Sequence, residues 1–156
     1  MQSPRIFIDA DGFPHTDLVL SLAAEYGMST LIFGNYSQNL GRFEGREGVE
    51  TLRVDEGRDE ADFAIITAAI EGDIVLTGDT GLAAVLLGKL VNVIGPRGNI
   101  YSKETIDFKL ASRHESKRAR RGGKRTKGPA KLSDADIGRF EAALRGLLES
   151  LDSPPL

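Results

Sequence analysis

Arg5-Ile6-Phe7-Ile8-Asp9-Ala10-Asp11-Gly12 sets an apolar run of strand length directly before two carboxylates and a glycine. Arg5 to Ile8 is too short for a helix and rich in β-branched and aromatic residues, so it reads as a buried strand of a parallel sheet. Asp9 then stands where that strand leaves the core. In open α/β sheets ligands bind outside the carboxyl ends of the strands, which makes an acidic pair at this position a candidate for chemistry. Taken alone, Asp9 to Gly12 also suits a simple turn, since Asp and Gly are ordinary turn formers.

Working outward, Pro14 can start a helix, and Leu18, Val19, Leu22, Ala23 and Tyr26 recur at helical spacing until Gly27, predicting a helix over 15–26. Thr30 to Phe33 reads as a second strand, Gly34 to Gly48 as a loop, and Val49 to Val54 as a third strand. Asp59-Glu60-Ala61-Asp62 opens a second helix, with Phe63, Ile66, Ile70 and neighbouring alanines expected on its apolar face and Gly72 as its stop. Asp73 to Thr77 is a fourth strand that ends, like the first, in an acidic turn, Gly78-Asp79-Thr80. A short helix over 82–87 and a fifth strand over 91–94 follow, then the loop Gly95-Pro96-Arg97-Gly98. Strands alternating with helices predict an α/β three-layer sandwich around a mostly parallel five-stranded sheet. A helix is expected over 102–110, and Ser133-Asp134-Ala135-Asp136 starts a last one over 133–150, with its apolar face on Ile137, Phe140, Leu144, Leu147 and Leu148.

A chain of 156 residues predicts one domain over 1–156. It has no cysteine and only two histidines, His15 and His114, so thiolate zinc sites, disulfides and His-rich metal sites are not expected. No apolar run approaches the ~20 residues that span a bilayer, and no targeting segment is evident, which leads to the expectation of a cytoplasmic protein with no membrane partner. The net charge of −3 conceals an asymmetry: residues 113–131 hold nine Lys/Arg and one Glu, leaving 11 basic and 22 acidic residues elsewhere. Such a basic appendage on an acidic globule suits a phosphate backbone, with a solvated linker as the simpler reading.

Three places put carboxylates at one end of the sheet: Asp9 and Asp11 after the first strand, Asp59 and Asp62 at the second helix start, and Asp79 after the fourth strand. Each has a local alternative, as an N-cap, a first-turn acid or a turn residue. Gathered together they would repel, and a cation is the natural resolution; oxygen donors select Mg²⁺ or Mn²⁺. If Asp59 and Asp62 are both helical, their spacing puts them on one face.

The ordered series Asp9-Ala10-Asp11 with Pro14, Gly57 to Asp62, Thr77-Gly78-Asp79-Thr80-Gly81-Leu82-Ala83, Pro96-Arg97-Gly98, Tyr101, Gly128-Pro129, Leu132-Ser133 and Phe140 resembles the YaiI/YqxD (UPF0178, DUF188) family of bacterial proteins over nearly the whole chain. That family is similar to PIN-type nucleases, and the resemblance implies a sheet in the order 3-2-1-4-5 with an acidic Mg²⁺/Mn²⁺ pocket. Gly12-Phe13 stands where the family commonly has Ala-Cys, which removes any thiol role but leaves the carboxylates.

Together these readings lead to an expected metal-dependent nuclease, with RNA as the expected polymer. Asp9, Asp59 and Asp79 would hold Mg²⁺ or Mn²⁺, and Asp11 and Asp62 would complete the catalytic carboxylates. Arg97, Arg118, Arg120 and Arg121 are the expected phosphate contacts, although Arg97 also suits a loop-closing surface role. His15 is expected as a surface residue at a helix start. Two alternatives stay open. A strand followed by Asp-x-Asp-Gly also resembles haloacid-dehalogenase-like phosphatases, although the first lysine, Lys89, comes after Asp79, where an arginine such as Arg53 or Arg58 would have to substitute. The other is a non-catalytic nucleic-acid-binding module that works through its basic segment.

Overall fold

The computed structural model describes residues 3–11, 13–35, 39–57, 59–107, 111 and 131–152. Five strands, β1 (Ile6–Asp9), β2 (Thr30–Gly34), β3 (Val49–Arg53), β4 (Ile74–Leu76) and β5 (Asn92–Ile94), form one sheet in the order β3-β2-β1-β4-β5. Every pairing between these strands is parallel; the inner strands β1, β2 and β4 are largely apolar, as burial on both faces demands, whereas the edge strand β3, Val49–Arg53, keeps polar residues. β1 lies at the centre, where Ile6, Phe7 and Ile8 are fully buried.

The pleat of β1 divides the core. Ile6 and Ile8 face one layer, built from α1 (Thr16–Tyr26) and the C-terminal helix α4 (Asp134–Asp152). Phe7 faces the other, built from α2 (Glu60–Ala68) and α3 (Thr80–Gly88), and stacks on Phe33 with centroids 5.6 Å apart. The chain runs outward from β1 to β3 and then returns to place β4 on the other side of β1. Right-handed crossovers therefore send α1 and α3 to opposite faces, and the carboxyl ends of β1 and β4 meet at the point where strand order reverses.

Gly27, in the left-handed region at φ 67°, ends α1 where expected. α2 stops at Ala68 and not at Gly72. Lys89 Nζ donates to the carbonyls of Ile66 and Ala69, and Asp73 Oδ2 accepts the Ile70 amide, so the last polar backbone groups are satisfied without further turns. Asp73 belongs to this bracket, and not to β4 as expected; it also pairs with Arg5 at 2.9 Å and ties β1 to the chain entering β4. The apolar face of α2 differs too: Ile65 and Ala69 are buried, whereas Phe63 and Ile70 are exposed. Small side chains at Ala64 and Ala68 flank that contact and let the helix close on the sheet.

α4 lays Phe140, Leu144 and Leu148 against α1 and the sheet. Its start is fixed by Asp136, whose carboxylate accepts from the Ser133 amide and hydroxyl and pairs with Arg97 and Arg139. These donors, the Ser133 amide first, hold the Asp136 carboxyl down at about 2. Gly98, at φ 86°, lets the loop after β5 press onto this helix; a Cβ there would lie 2.6 Å from the Arg139 carbonyl carbon. Among the described residues, no helix is long and apolar enough to cross a membrane.

Candidate metal centre

Asp9 closes β1. Strand alternation puts its side chain on the Phe7 side of the sheet, the side covered by α2 and α3, and it is 5% exposed. Burial there pushes its carboxyl above the usual range, with Asp11 and Asp79 adding like charge. One hydrogen bond offsets part of this: Thr77 Oγ1, itself buried just past β4, donates to Asp9 Oδ2 at 3.1 Å. The same hydroxyl oxygen accepts the Asp79 amide at 3.1 Å, so one threonine orients both strand ends.

Asp79 is the N-cap of α3 and accepts the Leu82 amide through Oδ1 at 3.1 Å. From the sequence Asp79 reads as a turn residue next to a helix-capping Thr80; in the structure Asp79 is itself the cap, Thr80 is the first helical residue, and Asp79 also lines the acidic cavity. Asp59 sits at the N-cap position of α2 but in the left-handed region, φ 69° and ψ 7°, with no side-chain capping bond. It is therefore not helical, so the condition that would put Asp59 and Asp62 on one helix face is not met. A non-glycine residue held there stores on the order of 1 kcal/mol, and such outliers cluster at functional sites. Asp62, in the first turn of α2, is half-buried; burial first, then the charges of Asp79, Asp9, Asp59 and Asp11, push its carboxyl up to about 6.

These five aspartates line one cavity of about 250 Å³ at the carboxyl edge of the sheet. The cavity holds two further oxygen donors that the sequence analysis does not single out, Asn35 just after β2 and Asp55 just beyond β3. The rule that picks out Asp9 and Asp79, a polar residue at a strand's carboxyl end, also finds both. No lysine or arginine is among the described lining residues. The donor set is thus entirely hard oxygen, the chemistry that suits Mg²⁺ or Mn²⁺. Among the described residues, no group of three or more His, Asp or Glu side chains is placed so that it could hold a metal ion.

The remaining candidates lie elsewhere. Arg97 does not line the cavity; its Nη1 pairs with Asp136 at 2.9 Å, the loop-closing role. His15 is half-buried and not a surface residue: Nε2 lies 3.0 Å from the Pro96 carbonyl, which it can only donate to, and the ring packs on Phe13 and Phe140. Lys89 is committed to helix carbonyls, and Arg53 lies 3.8 Å from Glu44. Arg58, Arg118, Arg120 and Arg121 fall outside the described residues, as does the basic segment 113–131 apart from Lys131.

Residues 7–150 match the model of the uncharacterised YaiI/YqxD family, DUF188. The chain is 36% identical to a UPF0178 protein of Shouchella clausii, covering 94% of this chain and 93% of that one. UPF0178 proteins of Exiguobacterium sibiricum and Enterococcus faecalis are each 38% identical, covering 92% and 93% of this chain and 96% and 97% of theirs. No solved structure matches.

Proposed function

The chain belongs to the YaiI/YqxD (DUF188, UPF0178) family, and from that premise we propose that it is a Mg²⁺- or Mn²⁺-dependent nuclease that cleaves phosphodiester bonds, with RNA as the expected polymer. The observation that carries the reading is the single cavity ringed by Asp9, Asp11, Asp55, Asp59, Asp62 and Asp79, with no basic side chain among its described lining residues. Burial first, and then the charges of neighbouring acids, push the Asp9 and Asp62 carboxyls upward, which supports a site that gathers acids for more than turns and caps. Such repulsion, and the strained Asp59 backbone, are offset when a cation enters.

Asp9, Asp59 and Asp79 would hold the ion, and Asp11 and Asp62 would orient water and accept its proton. When bound, a divalent cation stabilises the charge that develops on a scissile phosphate and acidifies nearby water. Thr77 keeps Asp9 and Asp79 in place throughout. Arg118, Arg120 and Arg121, in the basic segment, would hold flanking phosphates. A cytoplasmic setting, where RNA is at hand, is part of this proposal.

The phosphatase alternative draws less support, because it needs a cation beside the phosphate and Lys89 is bound to the Ile66 and Ala69 carbonyls. The test is incubation of end-labelled single-stranded RNA with wild type and Asp9→Asn in Mn²⁺, Mg²⁺ or chelator. Expected is metal-dependent cleavage that falls by about 100-fold or more in Asp9→Asn. RNA binding without cleavage in any metal would favour the non-catalytic module, and an aspartyl-phosphate trapped on Asp9 would favour the phosphatase.

A further inference from the structure

α2 carries its most exposed large apolar side chain beside the acidic cavity. Phe63 is 64% exposed, one residue after Asp62, and the helix buries Ile65 and Ala69 in its place. It borders a groove of about 290 Å³ between α2 and α3 whose lining mixes the acids Asp59, Asp62 and Asp79 with the apolar Phe63, Ile66 and Val85. The same three aspartates line the acidic cavity, so groove and cavity adjoin.

We propose that this groove is a base subsite in which Phe63 stacks on an unpaired nucleobase of the nucleotide next to the scissile phosphate, so that the enzyme selects single-stranded nucleic acid. The inference rests on the nuclease reading for what occupies the neighbouring cavity. A phosphate or ribose phosphate has no reason to settle against Phe63, Ile66 and Val85, which offer it neither charge nor hydrogen-bond donor. A nucleobase does, being uncharged, flat and able to donate N–H groups toward carboxylates while its face covers an aromatic ring. A paired base already has both faces covered by its neighbours in the helix, so an exposed ring selects unstacked bases. The rival occupant is a second copy of the chain, seated on Phe63, Ile66 and Val85.

The test measures binding of a fluorescent single-stranded ribo-oligonucleotide and of a matching duplex, together with Mn²⁺-dependent cleavage. The proteins are wild type, Phe63→Ala, Phe63→Leu and Phe63→Trp; truncation at so exposed a position should leave Tm unchanged. Expected is a roughly 10-fold weaker single-strand affinity for Phe63→Ala and Phe63→Leu, wild-type affinity or better for Phe63→Trp, and little change on the duplex. The loss should appear in KM more than in kcat. One abasic position in the oligonucleotide should cost wild type the same factor and cost Phe63→Ala nothing further. Wild type that cleaves with all three variants alike overturns the base subsite and leaves the nuclease reading intact. Phe63-dependent single-strand binding without cleavage does the reverse. Wild type that binds no oligonucleotide overturns both. A dimer in solution that Phe63→Ala converts to monomer, with oligonucleotide affinity unchanged, assigns the groove to the second copy and overturns the proposal.

Discussion

The buried Thr77 hydroxyl donates to Asp9 Oδ2 at 3.1 Å, joining the carboxyl ends of two adjacent parallel strands through one side chain. Its oxygen simultaneously accepts the Asp79 amide, so the two acids that end β1 and follow β4 share one positioning group. Thr77→Val keeps the shape and removes both bonds. It should lower stability by about 1–3 kcal/mol, because a buried carboxylate and an amide lose their partner. Mn²⁺ affinity should fall about 10- to 100-fold, as for other groups that orient ligands. Urea unfolding and Mn²⁺ titration check both, and Thr77→Ser should recover most of each.

Asp79 caps α3 through Oδ1 and also lines the acidic cavity. Asp79→Asn keeps an amide oxygen for the Leu82 cap while removing one of the charges that, after burial, raise Asp9 and Asp62. In chelator it should be more stable than wild type, by ~1 kcal/mol. Asp79→Ala loses the cap and should be less stable by about 1 kcal/mol. Both should lose most of the stabilisation that Mn²⁺ gives wild type. Thermal melts with and without Mn²⁺ check this; an undiminished Mn²⁺ response in Asp79→Asn would remove Asp79 from the metal set.

The acidic cavity also sets a pH dependence. Asp62 is pushed from its ordinary 3.8 to about 6, so the folded chain binds this proton more tightly than the unfolded chain does. Its contribution to stability is therefore present at acid pH and is lost as pH rises through about 4 to 6, the reverse of a salt-bridged carboxylate. Solvent screening at a half-buried group reduces the effect to about 1 kcal/mol. In chelator, Asp62→Asn should flatten unfolding midpoints over that range. Asp136 has the opposite sign: its lowered carboxyl loses stabilisation as pH falls from 3.8 toward about 2, and Asp136→Asn should flatten that limb.

Charge in the basic segment makes a separate prediction. Replacing Arg118, Arg120 and Arg121 with alanine should weaken single-stranded RNA binding and reduce its logarithmic salt slope by about 0.7 for each phosphate that is no longer neutralised. Binding isotherms across a salt series measure this. An unchanged slope would make residues 113–131 a linker.

β1, the acids that follow β1 and β4, and the strand alternation are readable because a buried parallel strand must be apolar throughout and its polar residues fall where it leaves the core. Asn35 obeys that rule but lies in the polar Gly34 to Gly48 stretch that reads as loop, and Asp55 follows a third strand, Val49 to Val54, whose alternating polar residues mark its end weakly. The buried face of α2 is not legible: Phe63, Ile66 and Ile70 outweigh Ile65 and Ala69 in apolar size, and spacing alone does not say which face meets the sheet. The stop of α2 depends on Lys89, and the fate of Arg97 on Asp136, 20 and 39 residues away. Partners that distant leave no local signal. The left-handed backbone of Asp59 likewise has no signature in Gly57-Arg58-Asp59.

The most direct measurement is anomalous diffraction from crystals grown with Mn²⁺ and, separately, with chelator. The expected result is an anomalous peak inside the acidic cavity in Mn²⁺ alone, within about 2.3 Å of carboxylate oxygens of Asp9 and of at least one of Asp59 and Asp79. Crystals in Mn²⁺ with no peak in that cavity, or with peaks only on surface carboxylates outside it, would contradict the assignment of these aspartates to a metal centre.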